Sequence, residues 1–306
     1  MTYLIIGAGG TGGLIGGYLA KAGKGVTLVA RGTHLHAIQQ KGLTIRTYGE
    51  PPFTVGTIRA VSEAELNAET FDVVFVCVKA YSLPDIVPML RSVSRADTLI
   101  IPILNSLEAG NFLRIALPDY QVYDGCVYLT GYVSAPGEVS QNNKIFRIVY
   151  GLNHPDARNQ QLRERMEGDV RESGIGILYS STITSDIFKK LTFTSAFACA
   201  AAYDNKQAAD LQQPGTFREL FKTLLQELDA LAKGANLKIN ASIVDDNLAI
   251  LDSLSPDFTA SIQKDLKQGK PDEREQLIFD IVRLAQKHNV DVPEYRRIAG
   301  YFGLGD

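Results

Sequence analysis

The sequence predicts an α/β fold in which a parallel sheet with helices occupies residues 1–180 and an all-helical domain occupies 181–306. Three observations predict it. An apolar run, Thr2 to Ile6, feeds straight into Gly7-Ala8-Gly9-Gly10-Thr11-Gly12 and a helix-like run from Leu14 to Lys21. Phe71 to Val78 is a nearly continuous run of β-branched and aromatic residues, the pattern of a parallel strand covered on both faces. No strand of comparable strength follows residue 180, where helical periodicity takes over.

The first element and its glycines specify a ligand. A G-x-G-x-x-G between a strand and a helix marks a Rossmann-type dinucleotide-binding domain. Gly7 turns the chain sharply, Gly9 lets the backbone approach a pyrophosphate, and Gly12 lets the helix pack on the strand, so that the free N–H groups at its start face the phosphates. Ala8, Gly10 and Thr11 complete that loop. A second strand, Gly25 to Ala30, ends in Arg31. An acidic residue there would meet a ribose 2′-hydroxyl, whereas an arginine accommodates a 2′-phosphate, so NADPH is the expected cofactor.

Further along, Thr33 to Lys41 reads as a helix, Leu43 to Thr47 as extended and Ile58 to Val61 as a short strand. The Phe71 run ends at Lys79, Ser82 to Val93 is helical, and an apolar strand from Thr98 to Leu104 ends at Asn105. Lys79 and Asn105 thus follow the carboxyl ends of two core strands, where open α/β sheets bind ligands. Val122 to Val133 and Lys144 to Tyr150 supply β segments around a Pro136-Gly137 turn, and Ile175 to Tyr179 is the last strand. Helices are expected over Asp186 to Ala202, Thr216 to Lys233, Ala241 to Leu251, Ser261 to Gln268 and Asp272 to Lys287, separated by Pro214, Gly234, Pro256 and Gly269-Lys270-Pro271.

Composition narrows the function. A chain of 306 residues exceeds the roughly 250–300 at which single cores stop growing, in keeping with two domains. A net charge of −3 with dispersed basic residues gives no general attraction to nucleic acid or anionic membrane. Cys77, Cys126 and Cys199 lie far apart without metal-ligand spacing and read as reduced core residues, so no metal is expected. With no leader-like segment and no apolar run near ~18 residues, the expected location is the cytoplasm.

Taken in order along the chain, several segments together resemble the ketopantoate reductase (2-dehydropantoate 2-reductase) family. They are the glycine loop, Ala30-Arg31-Gly32, Cys77-Val78-Lys79-Ala80-Tyr81, Leu104-Asn105 and Gly131 to Val139. The helical half adds Phe188-Lys189-Lys190-Leu191 and Thr259-Ala260-Ser261 through Asp265, Gly269, Pro271 and Glu273. The resemblance implies NADPH-dependent reduction of a 2-oxo acid to a 2-hydroxy acid, with ketopantoate to pantoate, on the route to pantothenate, as the reference reaction. It places the general acid on Lys190 and a substrate-contacting carboxylate on Glu273, and gives Ser261 a hydroxyl for the substrate carboxylate.

Each of these residues also has a structural reading. Among apolar neighbours Lys190 is either buried, with its proton loosened, or snorkels to solvent like Lys189. Glu273 and Ser261 equally suit the first turn of a helix. Asn105 suits either the substrate or the nicotinamide ribose, and Lys79 either the phosphates or the substrate carboxylate. Thr194 and Ala198 stand on the expected substrate face where the family typically carries Asn, and Ile278-Phe279 and Asn105-Ser106 replace its Asn-Gly pairs. Thr194 retains a hydroxyl for substrate binding. A thinner polar set supports the reaction type better than the substrate. The competing readings are a reductase of another 2-oxo acid and an NADPH-binding sensor with little turnover; a homodimer is compatible with either.

Overall fold

The computed structural model describes residues 1–66, 69–154 and 158–305. The chain divides into two compact units, residues 1–104 with 108–183, and 105–107 with 184–306.

The first unit opens with β1 (Thr2–Ile6), α1 (Gly10–Lys21), β2 (Gly25–Val29), α2 (Gly32–Lys41), β3 (Leu43–Arg46), β4 (Phe53–Val55) and β5 (Arg59–Val61). It continues with β6 (Phe71–Val76), α3 (Leu83–Val93), β7 (Ser94–Pro102), α4 (Ala109–Ala116), β8 (Gln121–Val122) and β9 (Asp124–Tyr128). A hairpin, β10 (Gly131–Ala135) and β11 (Glu138–Gln141), precedes β12 (Arg147–Gly151), α5 (Gln160–Glu172) and β13 (Gly176–Ser180).

The main sheet is all parallel, in the order β5-β2-β1-β6-β7-β8. That is the Rossmann order, with the reversal of winding between β1 and β6. β1 lies at its centre because four of its five residues, Tyr3 to Ile6, are at most 1% exposed. Burying each such side chain stabilises the fold by about 1.5–3 kcal/mol. Smaller sheets of order β10-β11-β3-β4 and β13-β12-β9 complete the unit.

Several boundaries differ from those expected. β6 stops at Val76, leaving Cys77 to Lys79 as loop, and β7 runs from Ser94 to Pro102 rather than to Leu104. Helix α5 is not expected from the sequence because only Met166 and Val170 on it are buried, too few apolar positions to show a period. Polar contacts hold it to β1 and to the turn before β2 instead: the Tyr3 hydroxyl donates to Asp169 at 2.6 Å, and Lys24 pairs with the same carboxylate at 2.7 Å.

The second unit is helical: α6 (Ile183–Tyr203), α7 (Ala208–Gln212), α8 (Thr216–Gly234), α9 (Ile243–Ser253), α10 (Ser261–Lys267), a π-helical turn over Glu275–Phe279, α11 (Asp280–Lys287) and α12 (Pro293–Tyr301). Residues 184–203 of α6 belong to this unit. The helix expected over Asp272 to Lys287 is therefore a π turn followed by α11, and α12 was not foreseen. No helix among the described residues is long and apolar enough to cross a membrane.

Candidate active site

The glycine loop adopts the geometry a pyrophosphate needs. Gly7 has φ +97°, which L side chains rarely adopt, and a Cβ there would lie 2.8 Å from the Cys77 carbonyl oxygen. A Cβ on Gly12 would lie 2.0 Å from the Gly7 carbonyl oxygen, so α1 packs against the turn only because that position is glycine. Around Gly9 the space is open to 4 Å. Gly9 caps α1 without a side-chain bond, and the first turn carries no acidic residue. The N–H groups of Gly10, Thr11 and Gly12 begin the helix, where intrahelical partners are lacking, and they fit an anion. Ala8 is buried at the base of the loop.

Two cations stand at the strand ends. Arg31 is the N-cap of α2, two residues after β2, and its exposed guanidinium makes no hydrogen bond or ion pair with any described residue. Lys79 is half-buried, and its carbonyl accepts from the Ser82 N–H at 2.9 Å as the chain turns into α3. Cys126 and Cys199 are buried and Cys77 partly so; all three are free, and burial pushes the Cys77 and Cys199 thiols upward.

In the second unit, Lys190 and Asn105 meet. The Lys190 ammonium donates to Asn105 Oδ1, and because lysine only donates, the amide must present its oxygen. Lys190 is half-buried while Lys189 is exposed, so the two adjacent lysines part company. One turn on, the Thr194 hydroxyl donates weakly, at 3.4 Å, to the Lys190 carbonyl. Ala198, expected on an open substrate face, is instead fully buried; an amide there would need both room and a buried partner.

Glu273 is 5% exposed and lies two residues before the π turn. Its carbonyl accepts from the Leu277 N–H at 2.9 Å, and the Leu277 carbonyl in turn accepts from the Ser195 hydroxyl of α6. Ser195 also bonds the Tyr295 hydroxyl at 2.7 Å. Tyr295 lies at the start of α12, where the Glu227 carboxylate accepts the N–H groups of Glu294 and Tyr295 at 2.7 and 3.0 Å. Burial, chiefly, drives the Tyr295 hydroxyl and the Glu227 carboxyl upward, so both favour the protonated form relative to water. π turns insert one extra residue into a helix and cluster at functional sites. This one leaves Glu273 linked through Leu277 to the same helix that carries Lys190. Sequence reasoning missed Ser195, Tyr295 and Glu227. Their signal was a serine within an apolar helix and a glutamate within the apolar face of α8.

Ser261 is the first residue of α10; it is exposed and its hydroxyl makes no bond with a described residue. Two residues on, the buried Gln263 amide donates to the Ala201 and Lys206 carbonyls at 3.2 and 2.9 Å, which fixes the start of α10 at the C-terminal end of α6.

The Rossmann sheet with its glycine loop at the reversal fits a dinucleotide, and in the second unit an amide oxygen holds a lysine ammonium group. Comparison with known proteins gives the family. The description "Ketopantoate reductase PanE/ApbA" matches residues 3–154, and "Ketopantoate reductase PanE/ApbA C terminal" matches 182–303. The chain belongs to the ketopantoate reductase family. It is 25% identical to the uncharacterized oxidoreductase YkpB of Bacillus subtilis over 96% of this chain and 95% of that protein. It is 25% identical to the 2-dehydropantoate 2-reductase of Mesorhizobium japonicum over 94% and 92%. A crystal structure of the PanE/ApbA family ketopantoate reductase from Ralstonia eutropha shares the fold, with a TM-score of 0.87 at 23% identity over 98% of this chain and 97% of that one.

Proposed function

We propose that the protein reduces a 2-oxo acid to the 2-hydroxy acid with NADPH, and that ketopantoate is the first substrate to test. The observation that carries this reading is the Lys190–Asn105 hydrogen bond, because it holds an ammonium group, a proton donor, at a defined place. The amide oxygen accepts from the ammonium group and so orients it. The loop from Gly7 to Gly12 would hold the dinucleotide, which when bound would supply a hydride for the carbonyl carbon. Lys190 then delivers a proton to the oxygen on which negative charge develops, and the product is the neutral alcohol.

The other residues take roles that follow from their placement. Arg31, exposed and unpaired by any described residue, pairs with the 2′-phosphate, and the loop from Gly7 to Gly12 receives the pyrophosphate. Lys79 adds positive charge beyond β6. Glu273 accepts from a substrate hydroxyl, Thr194 offers a second polar contact, and Ser261 faces the substrate carboxylate. The test is to follow NADPH absorbance with purified protein and a panel of 2-oxo acids, ketopantoate first. Turnover of ketopantoate supports the reading in full, and turnover of another member alone corrects the substrate. Absence of oxidation with every member overturns it.

A further inference from the structure

His34 lies three residues beyond Arg31, and nothing in the proposed chemistry uses it. It is half-buried in the first turn of α2, with both ring nitrogens engaged by backbone groups from separate segments. The Gly137 N–H, from the turn between β10 and β11, donates to Nδ1 at 3.0 Å. Nε2 lies 2.9 Å from the Ala8 carbonyl oxygen, inside the glycine loop. An N–H donor at Nδ1 requires that nitrogen to be unprotonated, so the ring proton sits on Nε2 and is donated to Ala8. The two bonds therefore select one neutral tautomer.

The hairpin that His34 reaches also packs on the loop directly. A Cβ on Gly10 would lie 2.3 Å from the Gly131 carbonyl oxygen, and one on Gly13 would lie 2.9 Å from Val139 Cγ1. The loop is therefore held between the main sheet on one side and the β10–β11 hairpin on the other. Ala8 is the residue between the turning Gly7 and the open Gly9, so the orientation of its carbonyl fixes the plane of the peptide that presents the Gly9 N–H.

We propose that His34 is a positioning residue for the dinucleotide, tying the Ala8 carbonyl of the glycine loop to the β10–β11 turn so that the loop is set for the pyrophosphate before binding. The inference rests on the proposed function only for the identity of the ligand as a nicotinamide dinucleotide. Pyrophosphate is common to NADPH and NADH, so His34 acts on both alike, whereas Arg31 separates them.

The test measures dissociation constants of NADPH and NADH for the free enzyme by fluorescence, with kcat and the KM of the 2-oxo acid at saturating dinucleotide. His34→Ala should weaken both dinucleotides about tenfold, the weight of one net hydrogen bond, with their ratio unchanged. Its kcat and 2-oxo acid KM should stay within about twofold, as expected when binding and not the chemical step is altered. His34→Gln, whose amide can accept from Gly137 and donate to Ala8, should recover most of the affinity. His34→Leu keeps side-chain bulk without either bond and replaces the alanine variant should that one not fold. Unchanged dinucleotide affinity in His34→Ala or His34→Leu, or a glutamine variant as weak as either, overturns the inference alone. So does a changed NADPH-to-NADH ratio, which would make His34 a reader of the ribose. Wild-type protein that binds neither dinucleotide overturns the proposed function and this inference together.

Discussion

In the first unit the glycine loop is six consecutive residues, Gly7 to Gly12, whose geometry comes from what the side chains of its glycines lack. In the second, Lys190 meets Asn105 across 85 residues, and Ser195 meets Leu277 and Tyr295 across 82 and 100. The loop works through backbone shape and the helix end; the lysine region works through side chains brought together from distant segments. A local device is encoded where it acts, and a motif can report it. A device assembled from remote residues is specified by packing, and single changes to it fall on side-chain bonds that the rest of the unit was built to satisfy.

The comparison breaks most visibly at Lys190. Lys190→Ala should lower kcat by about 10² or more, the usual scale for losing a general acid, while NADPH still binds. Lys189→Ala, on the exposed neighbour, should be nearly silent. A fully active Lys190→Ala enzyme in steady-state assays would remove the lysine region from the chemistry and leave only the loop.

On the loop side, Arg31→Ala should weaken NADPH by about 1.5–3 kcal/mol, the range for hydrogen bonds to charged groups, and weaken NADH far less. Calorimetric titration of both dinucleotides checks it. Equal losses for the two would contradict a 2′-phosphate partner.

The assembled region should also carry stability that the loop does not. Ser195→Ala strips the buried Leu277 carbonyl of its side-chain donor and the Tyr295 hydroxyl of a partner, and should cost about 1–3 kcal/mol. Tyr295→Phe, which removes one hydroxyl and leaves Ser195 on Leu277, should cost less. Urea unfolding of both variants tests the order; Tyr295→Phe being the more damaging would place the weight of the network on α12 instead of the π turn.

The smallest effect concerns His34. Burial, chiefly, holds its imidazole below the ordinary 6.5, against the opposing pull of the Ala8 and Ala135 carbonyls. Between the folded value and 6.5 the unfolded chain binds more protons. This residue's contribution is therefore complete above 6.5 and is lost as pH falls through the folded value. Unfolding midpoints measured from pH 7.5 to 5 should fall more for the wild type than for His34→Gln. Parallel curves would show that the imidazole titrates alike in both states.

These contrasts explain what could be read in advance. β1, β2 and β6 were legible because apolar runs buried on both faces leave no ambiguity of period, and the turn at Gly7 and the close packing at Gly12 because they depend on immediate neighbours. The family resemblance singles out Lys190, Asn105 and Glu273, but the Lys190–Asn105 contact is not legible, since no local pattern links two positions so far apart. The π turn escaped because one inserted residue leaves Glu275 to Phe279 looking like ordinary helix. Helix α5 escaped because polar bonds to Tyr3 and Lys24, invisible to periodicity, help to hold it.

One consequence concerns how the protein can be cut and recombined. Residues 105–107 belong to the helical unit although both chain segments flanking them belong to the other. A fragment beginning at Thr184 would carry Lys190 but leave its amide partner behind. A chimera that exchanges helical halves between relatives at a single crossover would likewise inherit a lysine from one parent and the residue that orients it from the other. A chimera of this chain that keeps Lys190 with its amide partner therefore has to carry a tripeptide and a domain from the same parent.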